Sequence, residues 1–175
     1  LGPYTYTVES ASNNPVLVIA NEDYTGTAPD YENNLEPNYL SYYTSALESA
    51  GYGYDVYDMD KFQKAPNYLE VLSHYDAVVW YSGDDFAPTV PGYEVRNDTA
   101  HQIRDFINFD GGKLFASGQA LGYLTAVHPD HSDDFFQYYM GAYIHVDGAG
   151  MNSETNEPWN IKGVEGDPIF GGLNL

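Results

Sequence analysis

Cysteine is missing altogether from this 175-residue chain. Disulfides, thiolate zinc sites, iron–sulfur clusters and thiol nucleophiles are therefore excluded. Cations are nearly as scarce: 6 Lys and Arg stand against 26 Asp and Glu, a formal charge of −20. A surface this acidic repels phosphate backbones and anionic lipid, which argues against nucleic-acid and membrane-surface partners. Long apolar runs are lacking too, none approaching the roughly 18–20 residues that span a bilayer.

What remains is enough for a core. Hydrophobic residues make up 43% of the chain, with 18 Tyr and 8 Phe, a composition that opposes disorder despite the charge. At about 100–200 residues per domain, the length fits one domain. Residues 1–14 are polar and Ser/Asn-rich and read as a linker or solvated edge segment, leaving 15–175 as the domain. The chain opens Leu1-Gly2-Pro3 without a methionine and closes Gly171-Gly172-Leu173-Asn174-Leu175, the pattern of a segment cut from a longer polypeptide. Few lysines with many Tyr, Asn, Asp and Gly suit a secreted protein.

Three continuous apolar runs, Val16–Ala20, Ala77–Tyr81 and Lys113–Ala116, predict strands buried on both faces, as in a parallel sheet. A shorter strand is predicted at Asp55–Asp58. Between them, Leu40, Tyr43, Leu47 and Ala50 fall on one face of a helix over 38–50 that Gly51 ends. Asn67–His74 reads as a short helix with Leu69 and Leu72 inward, and 84–96 as a loop. Asn97 is placed to cap a helix bearing Ala100, Ile103 and Ile107 on one stripe, closed by Gly111-Gly112. Alternating strands and helices predict right-handed βαβ units, and so a flavodoxin-like α/β fold: a three-layer αβα sandwich around a mostly parallel, doubly wound sheet. Beyond about residue 126 the pattern weakens, with Asp133–Met140 a candidate helix and Ala142–Val146 a candidate strand.

In such a sheet ligands bind at the carboxyl ends of the strands. That places Asn21, Glu22 and Asp23, then Ser82, Gly83, Asp84 and Asp85, then Gly118, Gln119 and Gly122 around one crevice. Gly118-Gln119-Ala120-Leu121-Gly122 has the form of a nucleophile elbow whose central residue is Ala120. With Tyr75–Gly83 as the strand leading to an oxyanion loop, residues 15–125 resemble class I glutamine amidotransferase-like domains, whose elbow is Gly-x-Cys-x-Gly. A methyl group cannot replace the thiol. Asp84 stands where the family has a second glycine, and a carboxylate there opposes oxyanion charge. The late His–Glu pair of the family is not identifiable. Val78-Val79-Trp80-Tyr81-Ser82-Gly83-Asp84, Gly111–Gln119 and Val164–Ile169 resemble more closely the non-catalytic versions attached to secreted bacterial peptidases, including actinobacterial zinc carboxypeptidases. That resemblance implies an accessory module contacting neighbouring domains of its own polypeptide.

Other chemistries have weaker footing. His128, His131 and Asp133 have zinc-like spacing, but Pro129 interrupts them and no His-Glu-x-x-His motif occurs, so no metal site is assigned. Asp55, Asp58 and Asp60, Asp84 and Asp85, or Asp133 and Asp134 are candidate ligands of a structural calcium ion, although none follows the EF-hand pattern, and solvated acid is the expected state. Otherwise no cofactor is expected. Ser117 lies three residues before the elbow centre, where it cannot act as nucleophile; His74 and His101 read as helix-surface residues, and His145 as a packed or edge position. Tyr39, Tyr42, Tyr43, Tyr52, Tyr54 and Tyr57 suit either a stacking surface or, as expected, ordinary division between sheet packing and solvent. The rival to an accessory module is a glycosidase-like hydrolase using Glu22, Asp23, Asp84 and Asp85 as acid and base.

Overall fold

Four short runs become the strands of one all-parallel sheet: β1 (Val16–Ala20), β2 (Tyr54–Asp58), β3 (Ala77–Tyr81) and β4 (Lys113–Ser117). The computed structural model describes residues 13–25, 36–83, 92–118, 121, 135–141, 154–155, 162–172 and 174, with backbone alone at 92–97 and 136. Strand order is β2-β1-β3-β4, the flavodoxin-like arrangement, with Val18 opposite both Val56 and Val79, and Val79 opposite Phe115.

Side-chain alternation gives the sheet two apolar faces. On one, Leu17, Ile19, Tyr57, Val78 and Trp80 meet Ala100, Ile103 and Phe106 of helix α3 (Gly92–Asp110), together with Leu72 and Phe135. On the other, Val18, Ala20 and Tyr81 meet Leu40, Tyr43 and Leu47 of α1 (Leu40–Ser49). Helices thus cover both sides, giving three layers. Cover is uneven: α1 has no fully buried residue, and Phe115, on the α1 side of β4, stays 47% exposed.

Local chemistry sets the boundaries. Gly51 N–H donates to Glu48 O and Tyr52 N–H to Leu47 O, the paired bonds that close an α-helix. Directly after β2 lies a one-turn helix, α2 (Met59–Phe62), started by Asp58, whose carboxylate accepts from Lys61 N–H at 3.0 Å. The α3 stripe lies as expected, but the helix begins five residues before Asn97, which is interior rather than a cap. Pro91 immediately before Gly92 suits a helix start, and nothing after it breaks the helix. The predicted helix at 67–74 is instead a turn followed by a 3-10 turn (Leu72–His74). Leu72 is fully buried there, whereas Leu69 is 71% exposed, because Leu69 lies in the turn before the 3-10 segment and the two share no continuous helix. The predicted helix at 133–140 is a single π-helical turn, Phe135–Tyr139, with Phe135 edge-on to Trp80. The predicted strand at 142–146 lies outside the described residues, as does His145.

Residues Leu1–Tyr143 and Ile144–Leu175 form two compact units. In the second, the Asp167 carboxylate accepts from Ile169 N–H and Phe170 N–H, and these bonds hold its pKa below the ordinary value. An antiparallel bridge joins Lys162 to Asn174.

In the first unit, tyrosine hydroxyls satisfy carboxylates. Tyr24 donates to Asp58 at 2.7 Å, Tyr75 to Asp55 at 2.9 Å, Tyr54 to Glu48 at 2.7 Å and Tyr68 to Asp110 at 3.1 Å. Burial, then Asp55, pushes Tyr75 up to about 12 from 10.0. A raised phenol pKa stabilises the fold below the unfolded value, and the gain is lost as pH climbs through the folded one. Stability should therefore fall between pH 10 and 12, less steeply in Tyr75→Phe; equal slopes in urea titrations would refute that assignment. Leu72→Ala should cost about 2–5 kcal/mol, read as a lower urea midpoint with unchanged slope.

Candidate functional site

The carboxyl ends of β1, β3 and β4 converge through backbone bonds: Asn21 N–H donates to Tyr81 O at 2.9 Å and Ser82 N–H to Ser117 O at 3.0 Å. Asn21, Glu22, Ser82, Gly83 and Gly118 are gathered there, as the strand pattern predicted. Their environments differ from those of a solvent-facing crevice. Asn21 is buried, and its side-chain oxygen accepts from the Trp80 indole at 3.2 Å. That bond satisfies an indole N–H otherwise sealed in the core.

Glu22 is 3% exposed. One carboxylate oxygen accepts from Asn38 N–H at 2.9 Å and the other from Tyr39 N–H at 3.0 Å. These amides immediately precede α1, which has neither a side-chain cap nor an acidic residue in its first turn. A residue from the end of β1 therefore supplies the negative charge that a helix N-terminus favours. Asp23, beside it, is half-buried.

Two glycines let these pieces close. Gly83 has φ +58, and a Cβ there would come within 2.7 Å of the Tyr39 ring and 3.3 Å of Glu22 Cγ. A Cβ on Gly118 would overlap Ser82 Oγ. Ser82 is wholly buried, and its hydroxyl has no hydrogen-bond partner among the described residues. Nor does the Tyr81 hydroxyl have one among them; its ring stacks on Tyr43 with centroids 4.2 Å apart. Burial first, then the Glu22 charge, drives the Tyr81 pKa far above the phenol range, although the two groups miss hydrogen-bonding geometry. Tyr81 is the polar group that strand patterning missed. Its only signal was a hydroxyl at the end of an apolar run.

Asp84, Asp85, Gln119, Ala120 and Gly122 lie outside the described residues, as do His128, His131, Asp133 and Asp134. Asp55, Asp58 and Asp60 face protein donors: Asp55 accepts from Asn14 and Tyr75, Asp58 from Tyr24 and Lys61, and Asp60 from Thr25 N–H at 3.1 Å. Among the described residues, no group of three or more His, Asp or Glu is arranged to hold a metal ion. No helix among them is long and apolar enough to cross a membrane. Ser117 sits within β4, His74 is exposed and His101 half-buried on α3. Of the six clustered tyrosines, Tyr57 is buried, Tyr39, Tyr43 and Tyr54 are partly covered, and Tyr42 and Tyr52 are exposed. That is the expected division between packing and solvent.

No family model, no curated protein and no solved structure matches this chain.

Among the described residues the arrangement joins the strand ends to the segment leading into α1. Replacing Glu22 with Gln keeps its shape but removes the charge that strengthens both amide bonds, and should cost about 1–3 kcal/mol. Urea unfolding of the variant measures this, and an unchanged midpoint would show that the latch contributes nothing.

Proposed function

We propose that this chain is a non-catalytic accessory or interaction domain of a larger secreted hydrolase, of zinc carboxypeptidase type, contacting neighbouring domains of its own polypeptide. The observation that carries the reading is Ala120 at the centre of the glycine-flanked elbow, where acyl transfer needs a nucleophile. The environment of Glu22 agrees. A glycosidase-type acid or base must reach substrate, whereas both oxygens of this buried carboxylate accept from backbone amides just before α1. The peptidase setting and secretion rest on the resemblance of Val79–Asp84, Gly111–Gln119 and Val164–Ile169 to such accessory domains.

The test has a negative and a positive arm. The chain should release no ammonia from glutamine and turn over no peptide, ester or glycoside substrate, and Ala120→Cys alone should create no glutaminase activity. Turnover lost in Asp23→Asn or Asp84→Asn would install the carboxylate hydrolase instead. A peptidase domain encoded in the same reading frame should gain thermal stability or secreted yield from this segment while kcat stays unchanged. Absence of any such domain from the reading frame overturns the accessory reading.

A further inference from the structure

The turn at 67–70 presents an apolar side chain to water from a rigid base. Glu70 N–H donates to Asn67 Oδ1 at 3.0 Å, Val71 N–H to Asn67 O at 2.9 Å and Ser73 Oγ to Leu69 O at 2.9 Å. Two further bonds tie it to α3: Tyr68 N–H donates to Gln102 Oε1 at 2.6 Å, and the Tyr68 hydroxyl to Asp110. Leu69 is nonetheless 71% exposed, and Phe109 on α3 is 72% exposed with its ring centroid 5.9 Å from that of Tyr68. Asp110 stands at this pair and Asp105 is near enough to act on the Tyr68 hydroxyl electrostatically. Two large exposed apolar groups flank a tyrosine locked in place, with carboxylates at the edge.

From this we infer that Tyr68, Leu69 and Phe109 form a docking surface for a cationic protein surface that presents arginine. The inference rests on the interaction-domain reading and names its partner's chemistry. A guanidinium stacks on aromatic faces while pairing with carboxylates, and its aliphatic stem packs on a residue such as Leu69. A lysine ammonium offers neither the plane nor the fork. A second copy of this chain is disfavoured as occupant, because each carries a charge of −20. Because the turn is already hydrogen-bonded, little ordering is left for binding to impose.

Fluorescein-labelled nona-arginine and nona-lysine, titrated in 150 mM salt, are the probes. Nona-arginine should bind more tightly than nona-lysine. Leu69→Ser and Phe109→Ser, which leave the net charge unchanged, should each weaken nona-arginine at least tenfold. Tyr42→Ser, an exposed tyrosine on α1, should leave it unaltered. Both target side chains are largely in water, so these variants keep the core, and matching thermal midpoints verify it. Wild-type affinity in both serine variants, or equal affinity for the two peptides, would reduce the binding to diffuse charge and overturn the surface. Self-association in sedimentation that Phe109→Ser abolishes would assign the patch to a second copy instead. Each of these failures leaves the turnover assays untouched, while turnover by the unmodified chain would sink the accessory reading without moving these affinities.

Discussion

The contact between the Glu22 carboxylate and the two amides just before α1 organises the described part of the crevice. A charge so nearly excluded from water is tolerable only where donors replace its hydration, and here the donors are two backbone amides at the approach to a helix N-terminus. The same contact fixes Tyr39, which lies over Gly83 and so admits no side chain at that position. It also sets the potential around the buried Tyr81 hydroxyl. One interaction thereby joins the ends of β1 and β3 to the start of the layer covering them.

Excess acid is the second constraint. With 6 Lys and Arg in the chain, most carboxylates cannot find a cation, and phenols take over part of that work. Tyr24, Tyr54, Tyr68 and Tyr75 each donate to a carboxylate, at 2.7–3.1 Å. A neutral donor needs no compensation for a second buried charge and keeps its proton well past neutrality. The price is sensitivity to alkali rather than to acid.

These arrangements leave little free reactivity among the described residues. The buried carboxylate holds the approach to a helix, the Ser82 hydroxyl is sealed behind Gly118, and the carboxylates of Asp55, Asp58 and Asp60 face protein donors. The exposed, ordered features lie instead at the turn before β3 and the end of α3, near the opposite ends of the strands.

The strands were legible because burial on both faces demands continuous apolar runs, and Val16–Ala20 and Ala77–Tyr81 have no polar residue to confuse the pattern. The stripe of Ala100, Ile103 and Ile107 was legible for the same reason, whereas the start of α3 was not, since capping preference at Asn97 is weaker than the propagation of a helix already begun at Gly92. Leu69 was misplaced because it lies in a non-helical turn, where no helical periodicity links its direction to that of Leu72. Sequence alone thus determined the fold class, the gathering of Asn21, Glu22, Ser82, Gly83 and Gly118 at one sheet edge, and an alanine at the centre of the Gly118–Gly122 segment. Only the tertiary structure decided that Glu22 holds the residues leading into α1, because its partners Asn38 and Tyr39 lie 16 and 17 residues away, and contacts across such separations follow from packing, which no local pattern encodes.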